Sequence, residues 1–147
     1  MKNSGYDELQ VATRHRIAFH ALILTFIVIM VNAWVKKTYG AIWPDPMLES
    51  LGTIFIPATY FTVMAILKNA YLRAKDYPAL FIIAIALAFL LSSASFITIT
   101  LSGLPMIIEN GQLSNRLGSL LITIYTGCIT VALLIRYIRN KRIDDES

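Results

Sequence analysis

Hydrophobic residues in this chain gather into four long blocks divided by short polar connections. Ile17 to Val35 reads IAFHALILTFIVIMVNAWV, and Ser50 to Leu67 reads SLGTIFIPATYFTVMAIL. Pro78 to Leu101 is the longest block and the richest in alanine and serine, and Leu117 to Ile135 reads LGSLLITIYTGCITVALLI. A helix needs roughly 20 apolar residues to cross about 30 Å of hydrocarbon. None of the blocks alternates apolar and polar residues as a barrel strand does, and helices are the other form that satisfies every backbone group inside a bilayer. The pattern predicts an all-α, polytopic membrane protein. It is one domain over residues 1–147, a four-transmembrane-helix bundle with spans at about 17–35, 50–67, 78–101 and 117–135.

Polar residues beside the blocks predict where the helices begin and end. Asp7 followed three residues later by Gln10 resembles a capping box and starts the first helix near Glu8, well before the membrane. Asp45 before Pro46 is a start for the second helix, with proline at its first position. The sequence KNAYLRAKD from Lys68 to Asp76 reads as helical, so the second helix is expected to run on toward Asp76 before Pro78 breaks it. Gly103 and Pro105 close the third helix. Ser114 caps the fourth, which is expected to continue into the basic tail around Lys141. Pro57 removes one backbone bond from the second span and is expected to kink it, with Asn32, Thr53, Thr59 and Thr62 available to the freed groups.

Composition supports a membrane location, and charge adds orientation. The chain of 147 residues is 56% hydrophobic and 15% charged, against about 25% charged in an ordinary soluble domain. Of its 13 lysines and arginines, ten fall before the first block, between the second and third, or after the fourth, and three fall in the other two connections. Basic residues stay on the cytoplasmic side, so both termini are expected inside, N-in/C-in, at the cell membrane. That placement also accounts for the net charge of +4 without nucleic acid as a direct partner, since neither a zinc pattern nor a basic–aromatic stripe accompanies it. The first block is too long for the core of a signal peptide and is expected to be retained. The single cysteine, Cys128, rules out an internal disulfide and reads as a small apolar residue.

Few residues offer chemistry. His20 is the one ionisable side chain within a span, a candidate intramembrane polar site for proton relay or ligand contact, weighed against a neutral histidine bonded to a neighbouring helix. His15, five residues earlier, does not share its face, so a metal pair is not expected. Ala84, Ala88, Ser92, Ser95, Thr98 and Ser102 recur at helical spacing and read as a close-packing stripe rather than a permeation path. Glu49 and Glu109 lie at the outer margins, Trp34 and Trp43 where aromatic anchors belong, and Met106-Ile107-Ile108 reads as an interfacial segment. With no pair of acids facing one cavity, no metal-ligand cluster and no phosphate loop, neither an enzyme nor a cofactor is expected.

The inner face is the most distinctive region. Tyr6-Asp7-Glu8-Leu9-Gln10 precedes the first span, and Lys68-Asn69-Ala70-Tyr71-Leu72-Arg73 follows the second. Asp7 or Glu8 opposite Lys68 or Arg73 reads as a modest clip or a docking surface. At these residues the chain resembles a group of largely uncharacterised four-span membrane proteins of Gram-positive bacteria. That group carries an Asp-Glu-Arg-Gln box before the first span, matched here by Asp7-Glu8-Leu9-Gln10 with leucine in place of arginine. Its basic–Ala–aromatic stretch is matched by Arg16-Ile17-Ala18-Phe19, and its Ala-Tyr after the second span by Asn69-Ala70-Tyr71. The resemblance covers roughly the first 80 residues. It implies a regulatory or signalling role, because members of that group stand beside small helix-turn-helix regulators.

The expected function is therefore a non-enzymatic regulatory or accessory protein of the membrane. It binds a cytoplasmic regulator or larger membrane complex through Asp7, Glu8, Gln10, Lys68, Tyr71 and Arg73. Two alternatives stand beside it. One is a small transporter or channel subunit that works as a homo-oligomer, with His20 and the third-span hydroxyls on its path. The other is an immunity or stress protein that binds a peptide or lipid at the outer face.

Overall fold

Four helices carry nearly all of the described chain: α1 (Glu8–Tyr39), α2 (Pro46–Leu67), α3 (Pro78–Leu101) and α4 (Leu117–Asp145). The structure, a computed structural model, describes residues 8–70, 78–103, 108–109, 111–114 and 116–145. Each helix is long and apolar enough to cross a membrane. The chain is an all-α, multi-pass membrane protein in which each expected span lies within one helix.

Local chemistry sets the helix ends. Asp45 is extended, and its carboxylate accepts the Leu48 N–H at 2.8 Å while Pro46 occupies the first helical position. An N-cap oxygen satisfies an amide that has no partner within its own helix, and proline at that place gives up nothing. Ser114, only 1% exposed, starts α4 by accepting the Arg116 N–H on its hydroxyl and the Leu117 N–H on its carbonyl. As expected, α4 runs on through the basic tail, to Asp145.

The end of α2 differs from expectation. The helix stops at Leu67 instead of continuing toward Asp76. Asn69 adopts a left-handed conformation, φ 55°, which asparagine tolerates better than most side chains. Its N–H then donates to the Ile66 carbonyl at 3.1 Å, and the Ala70 N–H to the Ala65 carbonyl at 2.8 Å. This paired closure satisfies the last carbonyls, and Ala70 packs fully buried in one cluster with Ala65 and Ile17. Within α2, Pro57 is buried and the helix is continuous through it. The hydroxyls of Thr53 and Thr59 bond to the carbonyls of Ser50 and Phe55 on their own helix, and Asn32 bonds elsewhere. None of them turns to the carbonyl that Pro57 frees.

The helices touch in the order α1–α2–α4–α3. Arg14 meets Ala70 and Lys36 meets Glu49, so α1 and α2 are antiparallel. Phe89 lies on Gly127 and Ser92 bonds Thr126, so α3 and α4 are antiparallel as well. Between these two hairpins α2 and α4 run parallel, from Leu48 against Gly118 at one end to Ile66 against Ile129, Ala132 and Leu133 near the other. Phe81, Ile82 and Ile85 of α3 close over that inner cluster.

The α3–α4 contact reverses the expected distribution of small residues. Of the alanine–serine stripe, Ser92 faces α4, where its hydroxyl lies 3.1 Å from that of Thr126, whereas Ala84, Ser95, Thr98 and Ser102 are exposed. The close approach comes from α4 instead: a Cβ on Gly127 would stand 3.0 Å from the Phe89 ring. A large side chain on a glycine brings two helices together as well as two small ones do. Ile108–Glu109 and Gln112–Leu113 pair as a short antiparallel hairpin, turned at Gly111, φ 79°. The Leu113 N–H donates to the Ile42 carbonyl at 2.7 Å, tying the two outer connections together. Met106 and Ile107 lie outside the described residues.

Candidate functional site

Functional chemistry is concentrated at the end of the bundle where α1 begins and α2 ends. The last carbonyls of a helix carry a partial negative charge and attract cations. Arg139 answers them here, and Arg14 holds the turn that follows. Arg14 of α1 donates from Nε and Nη2 to the Ala70 carbonyl at 3.0 and 2.8 Å, and Arg139 of α4 donates from Nη2 to the Leu67 carbonyl at 3.0 Å. The end of α2 is thus held by both of its neighbours through the fork geometry that distinguishes arginine from lysine.

Beside this anchor, α1 and α2 enclose a pocket of about 220 Å³ whose lining includes Leu9, Arg16, His20, Tyr60, Met64 and Lys68. The Tyr60 hydroxyl and His20 Nδ1 stand 3.4 Å apart across the two helices, with the direction of donation set by the histidine tautomer. Among the described residues no carboxylate lines the pocket, and neither Arg16 nor Lys68 forms an ion pair.

Of the residues expected to form the inner clip, Glu8 and Lys68 are exposed and Gln10 is half-buried. Glu8 and Lys68 do not pair; the contact that joins the two helices here is Arg14 on a backbone carbonyl. Asp7, Tyr71 and Arg73 lie outside the described residues. His20 is exposed on the side of α1 and reaches α2 through Tyr60.

The opposite end of the same hairpin holds a second polar cluster. Glu49 accepts the Asn32 amide at 2.7 Å and the Lys36 ammonium at 3.0 and 2.8 Å on its two oxygens. The Trp43 indole N–H donates to Asn32 Oδ1 at 2.8 Å, and its ring covers Gly52, where any Cβ would overlap it. These residues face each other and satisfy each other. The sequence signals for them are weak: an amide and a lysine one turn apart on α1, and an acid four residues after the cap of α2.

Along one side of the bundle a third feature runs between α2 and α4. It is an almost wholly apolar groove of about 690 Å³, bordered by Tyr60, Val63, Met64, Phe89, Cys128 and Val131 among others. Tyr60 and Met64 also line the basic pocket, so groove and pocket adjoin. Among the described residues, no group of three or more histidine, cysteine, aspartate or glutamate side chains is placed to hold a metal ion. No family model matches this chain, and no curated protein or solved structure matches it.

Proposed function

We propose that this chain is a non-enzymatic accessory or regulatory protein of the cell membrane, with both termini in the cytoplasm, that binds a soluble partner or larger membrane complex through its basic end. The observation that carries this reading is the double arginine anchor on α2. Arg14 and Arg139 tie the end of α2 to α1 and α4, which gives the exposed Glu8, Arg16 and Lys68 a fixed platform. A surface already ordered loses less entropy when a partner docks. The resemblance to largely uncharacterised four-span proteins of Gram-positive bacteria, often encoded beside small helix-turn-helix regulators, points the same way. A transporter path along α3 has less support, since Thr98, Thr100 and Ser102 bond carbonyls of their own helix.

Photo-crosslinking in native membranes tests the reading. A crosslinker in place of Glu8 is expected to capture a protein partner, and one in place of Gln112 at the other end is not. Equal capture from both positions, or none from Glu8, overturns it. For orientation, a cysteine at position 68 in a Cys128→Ser background is expected to label with an impermeant thiol reagent only in opened cells. Labelling in intact cells overturns the inward placement.

A further inference from the structure

Two features of the α1–α2–α4 surface are unexplained by a protein-docking end. One is the pocket carrying Arg16 and Lys68, with no acid among its described lining residues, and the other is the apolar groove that adjoins it. Arg16 directly precedes the first apolar block and Lys68 directly follows the second, so both cations sit at the edge of the hydrocarbon. Anionic headgroups concentrate positive residues at that depth. The pocket supplies further polar groups beside the two cations, the Tyr60 hydroxyl and the His20 ring. The groove runs along α2 and α4 from Leu67 and Ile135 near the basic end to Thr59 and Thr123 toward the middle of the span, sharing Tyr60 and Met64 with the pocket. Its volume of about 690 Å³ lies within the range of about 300–1,000 Å³ typical of ligand clefts. A molecule that satisfies both features needs a negative head on a long apolar tail, held in the bilayer.

We infer that this side of the bundle is a binding site for one anionic phospholipid. Its phosphate lies between Arg16 and Lys68, within reach of Tyr60 and His20, and one acyl chain fills the α2–α4 groove. A zwitterionic lipid fits the groove equally well but brings its own cation against Arg16 and Lys68. A free phosphate fits the pocket but leaves the groove unused. The inference uses the membrane-spanning fold alone and holds whether or not a protein partner docks at the basic end.

Native mass spectrometry of the full chain in mild detergent, with added phosphatidylglycerol or phosphatidylcholine of identical acyl chains, tests it. Wild type is expected to retain phosphatidylglycerol about thirtyfold better than phosphatidylcholine, in line with two basic groups at the membrane surface. Arg16→Gln/Lys68→Gln is expected to abolish that preference, while the charge-keeping exchange Arg16→Lys/Lys68→Arg preserves it. Val131→Trp, which fills the groove and leaves charge untouched, is expected to weaken retention of both lipids. Equal retention of the two lipids by wild type overturns the inference, as does an unchanged preference in Arg16→Gln/Lys68→Gln. Competition by glycerol phosphate at the potency of the whole lipid also overturns it, by showing a site for free anions. Should the double glutamine variant unfold, the exchange variant and Val131→Trp still decide the outcome, since loss of preference in the former or unchanged retention in the latter is adverse.

Discussion

The two ends of the α1–α2 hairpin place similar residues to opposite effect. At the end where α1 gives way to α2, Lys36 and Asn32 converge on Glu49, and Trp43 closes over Asn32. There each charge has a counter-charge and the amide both gives and receives a bond. At the basic end Arg14 is used on a backbone carbonyl, while Arg16 and Lys68 face a pocket that, among the described residues, no carboxylate lines. Polar groups that satisfy one another fix a structure, because exchanging them for water gains nothing. Cations left facing a cavity do little for stability and keep their attraction for a ligand. The Glu49 end is a clasp, and the basic end is the one proposed as a receptor.

Substitutions that separate the two roles should fall in a definite order. The largest loss of stability is expected from Gly52→Ala, whose new methyl group overlaps the Trp43 indole, a rigid neighbour that must move out of its bond to Asn32. Overpacking of this kind costs about 3 kcal/mol, and far-UV circular dichroism during thermal unfolding in detergent measures it. An equal or higher unfolding temperature would show that the clasp is loose. Glu49→Gln comes next, at about 1.5 kcal/mol, because one of its oxygens becomes an amide donor aimed at the Lys36 ammonium. Salt should weaken wild type and leave this variant unaffected, which separates lost charge from lost shape.

Arg14→Lys is expected to be milder, about 1 kcal/mol, since a lysine replaces the two-pronged contact on Ala70 with one point contact. Hydrogen exchange at the α2 end reads this change directly, with faster exchange at the Asn69 and Ala70 amides. The smallest effect on stability belongs to Arg16→Gln/Lys68→Gln, within about 0.5 kcal/mol of wild type in the same unfolding experiment. A large loss there would turn the supposed receptor into a second clasp and erase the contrast between the ends.

How much of this was legible in the sequence depends on how local the signal is. The four spans follow from runs of apolar residues, and the starts at Asp45 and Ser114 from capping groups two or three residues away from the amides they bond. The stop of α2 was not legible, because Ala, Leu, Arg and Lys after Asn69 all favour helix and nothing nearby announces a left-handed asparagine. Its supports, Arg14 and Arg139, lie 56 and 72 residues from the carbonyls they hold. The α3 contact face was misread for a related reason. Lipid tails and neighbouring helices are equally apolar, so hydropathy along α3 does not mark which side meets α4. Of the candidate site residues, His20 and Lys68 line the pocket between α1 and α2, whereas Glu8 and Gln10 do not. That Arg16 and Lys68 share this pocket, with no ion pair among the described residues, emerges only when the neighbours are in place.

The parallel contact between α2 and α4 has a consequence for the order of assembly. Every bond of the outer clasp joins residues no more than 17 apart, so it can close once α2 has followed α1 into the bilayer. The next helix to be synthesised, α3, has its main packing partner in α4, which follows it. The parallel seam between α2 and α4 can zip only when α4 arrives, and Arg139 then ties the earlier hairpin to the later one.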